Sequence, residues 1–192
     1  MLNIIRSKRF LQVSMIGALL FGSIIPATLV SSSAKAIEGR SGRSTFVRAP
    51  RLVDANASHI APSASSTYHF QIQVPENAGA PLEALTINQQ ENVEEISFNP
   101  SESSATATDQ FNISRSLAVS SIGGMEPDDN EVTVVFDEPV EPGNTVTVSV
   151  KARKNPHFGG VYQFGVTAFP VGEQSTGLYL GSARINFTGS SN

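Results

Sequence analysis

The chain has 192 residues, with 13 Lys plus Arg against 17 Asp plus Glu, 40% hydrophobic residues, no Cys and no Trp. The lack of cysteine excludes disulfide frameworks, thiolate metal sites, iron–sulfur clusters, cysteine nucleophiles and a lipidated N-terminal cysteine. The acidic balance speaks against a nucleic-acid surface, which needs Lys and Arg clustered over a whole face.

Residues 1–36 have the pattern of a cleavable export signal. Arg6, Lys8 and Arg9 form a positive start, Phe10 to Val30 is mostly apolar, and Ala34-Lys35-Ala36 fits the small-x-small rule for cleavage after Ala36. The competing reading is a retained anchor, since the apolar stretch is nearly long enough to span a bilayer. Pro26, with Gly17, Gly22 and scattered polar residues, favours a signal instead. No later segment could span as a helix, so the expected destination is the periplasm, the cell envelope or the exterior. The expected mature chain has 156 residues and a net charge of −8. It suits one domain, able to bury roughly two-thirds of its unfolded surface.

Residues 37–45, rich in Gly, Ser and Arg, read as a flexible basic arm. Residues 37–64 carry a local net charge of +2 and residues 65–192 one of −10. Such an arm could reach anionic lipid heads or acidic wall polymers. The folded domain is expected over 46–189, followed by a tail at 190–192. Phe46-Val47 and Leu52-Val53, on either side of Ala49-Pro50, suggest a broken edge strand.

From there, period-2 alternation dominates. Tyr68, Phe70, Ile72 and Val74 share one face of a half-buried strand, with His69, Gln71 and Gln73 on the other. A short helix is allowed near Pro81 to Gln90. Val93 to Phe98 and Phe111 to Val119 are weaker strand candidates. Val132 to Phe136 and Val146 to Val150 alternate on either side of Asp137 to Asn144, whose Pro139, Pro142 and Gly143 predict a hairpin. Val161 to Phe169 is apolar on both faces, as a central covered strand would be. Leu178 to Phe187 supplies the last strand. The fold class is all-β: a single antiparallel β-sandwich, immunoglobulin-like or Greek-key, of about seven to eight strands.

Several runs carry a family resemblance. They are Val74-Pro75-Glu76-Asn77-Ala78-Gly79-Ala80-Pro81-Leu82, the stretch from Phe136 to Val148, and Asn155-Pro156-His157-Phe158-Gly159-Gly160-Val161-Tyr162 continuing to Pro170. Over about Phe46 to Phe187 the chain resembles the domain of unknown function family 2808, exported and mainly cyanobacterial proteins. The resemblance implies a single exported β domain and a cyanobacterial source. It brings no activity, cofactor or catalytic residue. The chain departs from the family pattern at its close, with Ile185-Asn186-Phe187-Thr188 in place of an aromatic-rich strand.

No His-Glu-x-x-His, Gly-x-Ser-x-Gly or Gly-rich phosphate loop is present, and no catalytic residue or cofactor is assigned. His59 and His69 read as solvated imidazoles. The acidic turn Glu126 to Glu131 offers oxygen ligands for Ca²⁺, with Asp128, Asp129 and Glu131 as weak candidates, but lacks the spacing of an EF-hand. Sugar binding calls for exposed aromatic platforms, and two of Tyr68, Tyr162 and Tyr179 are expected in the core. The candidate interaction loop is Asn155, His157, Phe158, Gly159 and Gly160. The reading is a non-catalytic structural or interaction module, with an envelope protein or a polysaccharide as the open choice of partner. The alternative is an extracytoplasmic hydrolase or polysaccharide-binding domain with a site assembled from scattered residues.

Overall fold

The computed structural model describes residues 43–123 and 130–189. These form ten strands and no helix: β1 (Arg51–Ala57), β2 (Ser66–Gln73), β3 (Leu82–Gln89), β4 (Phe98–Thr108), β5 (Ser114–Leu117), β6 (Val119–Gly123), β7 (Glu131–Val140), β8 (Thr145–Ala152), β9 (Gly160–Pro170) and β10 (Leu178–Phe187). Two five-stranded sheets, ordered β1-β2-β8-β4-β5 and β10-β9-β3-β7-β6, pack face to face as an antiparallel sandwich. Strict alternation explains the clearest strands. Tyr68, Phe70 and Ile72 of β2, and Val74 just beyond it, are all fully buried, while the residues between them look outward. Each such large apolar side chain contributes about 1.5–3 kcal/mol by leaving water.

Three expectations are corrected. The stretch near Pro81 to Gln90 is strand β3, paired with β7 on one side and β9 on the other. An irregularity between Leu82 and Ala84 places Ala84 and Leu85 together on the buried side, so the two-residue rhythm is lost where a helix had been allowed. The runs Val132–Phe136 and Val146–Val150 do not form a hairpin. They belong to β7 and β8 in opposite sheets, and residues 141–144 carry the chain across the sandwich. The strand count rises to ten because β5 and β6 are short separate strands and β3 replaces the helix.

β9 lies inside its sheet between β10 and β3, with Tyr162, Phe164, Val166 and Ala168 buried. Its outer side is only partly covered: Val161 is open to solvent, and Gly165 lies beneath the ring of Tyr179. Of the broken edge strand expected at the start of the domain, only the Leu52-Val53 half is strand, inside β1 at the sheet edge; Phe46 and Val47 lie in the irregular segment before Arg51. Val93 to Ser97 is a loop that feeds β4 at Phe98. β10 pairs with β9 along its length despite its departure from the family pattern.

The strand directions define two ends. At the upper end lie the loops 74–81, 109–113, 141–144 and 171–177, and residues 43–50 run across them. Ser44 is buried there, and Thr176 N donates to its carbonyl at 3.1 Å. Val47 N donates to Ala78 O at 2.8 Å. At the lower end lie the loops 58–65, 90–97 and 153–159, together with Thr188 and Gly189. The core is most aromatic near this lower end. Phe164 meets Tyr68 and Phe70 with ring centroids 5.5 and 5.9 Å apart, and Phe187 meets both Tyr68 and Tyr162 at 5.5 Å. All but the tilted Tyr68–Phe187 pair are edge-to-face, and such pairs add about 0.5–1.5 kcal/mol beyond area burial.

Candidate functional site

The loop from Asn155 to Gly160 joins β8 to β9 directly beneath the aromatic core. Asn155 is 1% exposed, and its whole side chain is committed. Its Oδ1 accepts from the hydroxyl of Tyr68 at 3.0 Å, and its Nδ2 donates to the carbonyls of His59 and Ala61, each at 2.9 Å. Its backbone N–H donates to Ala64 O at 2.8 Å. One side chain therefore fastens the β8–β9 loop, the β1–β2 loop and the core together. An amide suits the place because it offers both donors and acceptors without a charge to desolvate. Burial pushes the ionisation of Tyr68 well above the ordinary phenol range, so its hydroxyl keeps the proton it donates to Asn155.

Beyond Asn155 the loop turns outward. Phe158 N donates to Glu94 Oε2 at 2.8 Å, and the hydroxyl of Tyr162 donates to Phe158 O at 3.1 Å. Desolvation, with a smaller push from the Glu94 carboxylate, also raises the Tyr162 pKa. Gly159 lies against the C-terminal segment, where a Cβ would come within 2.6 Å of Gly189 Cα and 2.8 Å of the Thr188 carbonyl carbon. Gly160 has a φ of 138°, a backbone conformation that side-chain-bearing residues rarely adopt. The exposed tip is His157, whose ring meets the Phe158 ring edge-on at 5.5 Å, and Phe158, 56% exposed. Val93 and Val161 are also exposed; Glu94, next to Val93, accepts from Phe158 N, and Asn92 Nδ2 donates to Val161 O at 3.0 Å. The loop expected as an interaction site thus has a structural half, Asn155 with Gly159 and Gly160, and a solvent-facing half, His157 with Phe158.

Asp128 and Asp129 lie outside the described residues. Glu131 opens β7, and its Oε2 accepts from Asn88 Nδ2 at 3.0 Å across the sheet. Among the described residues no group of three or more His, Asp or Glu side chains converges as a metal-binding set. His69 lies on β2 with its Nδ1 2.8 Å from Ser149 Oγ of the neighbouring strand. His59 Nδ1 is 3.2 Å from Ser58 Oγ, but that hydroxyl also accepts from Thr67 N at 2.9 Å and so closes the β1–β2 turn. Of the two Ser–His contacts the His69–Ser149 one is the shorter, and among the described residues neither imidazole has a carboxylate bonded to its other ring nitrogen to orient it as a base.

Two further features were not read from the sequence. Tyr179 is 55% exposed and spans the outer face of its sheet. Its ring covers Gly165, and its hydroxyl accepts from Gln90 Nε2 at 3.1 Å and lies 2.7 Å from Ser182 Oγ. A groove of about 750 Å³ crosses the upper end of the β1-β2-β8-β4 sheet. Its lining comes from four separate stretches of chain, so no local spacing announces it.

The architecture is that of an antiparallel β-sandwich domain with loop surfaces at both ends. Residues 43–187 match the family described as "Protein of unknown function (DUF2808)", and the chain belongs to that family. No characterised protein matches the chain by sequence. Among solved structures it is similar to the collagen binding subdomain ACE19 of the Enterococcus faecalis surface protein ACE. The TM-score is 0.47 and the identity 9%, over 72% of this chain and 98% of that one. The group B streptococcus pilus 2b backbone protein gives a TM-score of 0.44 at 11% identity, over 67% of this chain and 56% of that one. The collagen adhesin CNA from S. aureus gives 0.39 at 9%, over 70% and 48%.

Proposed function

We propose that the protein is an exported, non-catalytic interaction module of the periplasm or cell envelope, its sandwich acting as a rigid frame for contact surfaces on the loops. The observation that carries this reading is Asn155. The most recognisable loop of the chain spends its buried polar group on holding three segments together, and it offers solvent an apolar tip at Phe158, 56% exposed. An exposed apolar side chain on a braced loop suits contact with a partner; chemistry would need an activated nucleophile beside an oriented base. The signal pattern in residues 1–36 supports the destination.

The test has two arms. N-terminal sequencing of the protein from fractionated cells should find a soluble extracytoplasmic form beginning at Ile37; a form retaining Met1 in the membrane fraction would defeat the export reading. Purified protein should give no turnover on panels of ester, peptide and glycoside substrates. Turnover that disappears in Ser149→Ala or His69→Ala, or in Ser58→Ala or His59→Ala, would make it an enzyme.

A further inference from the structure

The groove at the upper end is a built polar site. It extends over four adjacent strands, about 14 Å at the usual inter-strand spacing. Its walls present Arg48, Arg51, Gln73, Asn77, Asp109 and Asn112. Gln73 Oε1 is taken by Arg51 and Asp109 Oδ1 by its own turn, so neighbouring hydroxyls meet the Gln73 amide nitrogen, Asp109 Oδ2 and the planar groups of Arg48, Arg51, Asn77 and Asn112. Arg51 is held in place by a 2.6 Å bond from its guanidinium to Gln73 Oε1.

A second hollow of about 240 Å³ shares Glu76, Asp109, Gln110 and Gly143 with the groove and adds Phe111 to its lining. Phe111 is 73% exposed, yet the turn that carries it is rigidly built. Asp109 Oδ1 accepts from Phe111 N at 2.8 Å and from Ile113 N at 2.9 Å, and Asn112 holds a φ of 61°. An aromatic ring kept in water on a braced turn, next to a polar groove, is a preformed stacking face.

Charge decides which ligand fits. Arg48 and Arg51 bring two positive charges to the groove, and Glu76 and Asp109 bring two negative ones. A polyanion would meet the two carboxylates and a domain of net −10 over residues 65–192, and a polycation would meet the two guanidinium groups. A neutral polyhydroxylated chain uses both sets: its hydroxyls donate to the carboxylates and accept from the guanidinium groups and amides. We infer that this groove binds a neutral oligosaccharide segment, with Phe111 stacking on the apolar face of one sugar ring. The inference rests on the interaction-module reading and names its ligand class.

The test is titration of the full chain with three neutral hexaoses, of β-1,4-glucose, α-1,4-glucose and β-1,4-mannose. A sulfated hexaose and a peptide of mixed charge serve as comparators, and reducing ends are assayed in the same samples. At least one neutral hexaose should bind with little dependence on salt. Phe111→Ala and Asn77→Ala should each weaken it by about fivefold or more. Phe158→Ala, at the opposite end, and Tyr179→Ala, on the outer sheet face, should bind as the parent does. Thermal melts matching the parent show that the variants are folded. Absence of binding to all three neutral hexaoses overturns the inference. So does preference for the sulfated sugar or the peptide, or binding that survives Phe111→Ala and Asn77→Ala. Release of reducing ends would instead overturn the non-catalytic reading while leaving the groove as the binding site.

Discussion

The hydroxyl of Tyr68 on β2 donates to Asn155 Oδ1 at 3.0 Å although 87 residues separate the two in sequence, and both side chains are buried. Replacing Asn155 with Ala leaves the buried Tyr68 hydroxyl unpaired and takes one donor each from the His59 and Ala61 carbonyls, which keep Ser66 Oγ at 3.0 Å and Ala64 N at 3.4 Å. We expect a loss of about 2–3 kcal/mol, from roughly 1–3 kcal/mol for the one buried group left unpaired and the lost bonds to the loop. Tyr68→Phe removes one side of the bond and should cost about 1–2 kcal/mol. Urea melts of both single variants and the double variant check this. A double variant whose loss equals the sum of the single losses would show that the bond contributes nothing as a pair.

Gly159→Ala and Gly160→Ala should both destabilise, for different reasons. The first drives a methyl group into the Thr188–Gly189 backbone, and the second meets open space but places Ala at a φ of 138°. Losses of about 1–3 kcal/mol are expected for each, with His157→Ala within about 0.5 kcal/mol of the parent. Melts that leave both glycine variants unchanged would remove the scaffold role from this loop.

Alkaline stability should be limited by Tyr68. Its pKa in the folded chain is raised above the ordinary value of 10.0, chiefly by burial, so the folded state holds this proton more tightly than the unfolded chain does. The contribution is fully present below pH 10 and is lost as pH rises through the folded value. Tyr68→Phe, though less stable at neutral pH, should therefore lose stability less steeply between pH 10 and 12. Parallel slopes for parent and variant in that window would contradict this.

Calcium should bind weakly at the Glu126–Glu131 turn. Glu131 already accepts from Asn88, and the turn lacks the ordered spacing of a high-affinity loop. Calorimetry should give affinities in the millimolar range of loose extracellular sites. Micromolar binding lost in Asp128→Ala or Asp129→Ala would establish a metal site.

The strands that alternate strictly were legible, because a buried face writes itself into every second residue. β2 and β8 follow that rule throughout, and β10 follows it only from Ala183 to Phe187. β3 did not, since its irregularity at Leu82–Ala84 sets two apolar residues side by side. β7 and β8 look like the arms of a hairpin because alternation says which residues are buried and nothing about which sheet buries them. The segment after Val140 bridges two layers, and its partners β3 and β2 lie far away in sequence. The 155–160 loop was visible through its family resemblance, but the commitment of Asn155 to His59, Ala61 and Tyr68 is a tertiary fact. The groove was invisible for the same reason, being assembled from the tops of β1, β2, β4 and β8.

The described chain enters the sandwich at its upper end, where Ser44 is bonded beside the start of β10, and leaves it at the lower end, where Thr188 N donates to Ile60 O at 3.0 Å. Tension applied through these two points would act along the strand axes. The hydrogen bonds joining β10 to β9 and β1 to β2 would then be loaded side by side in shear, where an unzipping geometry would break them in turn. A domain tethered by one terminus and pulled by the other would hold its shape until a whole row of these bonds gave way together.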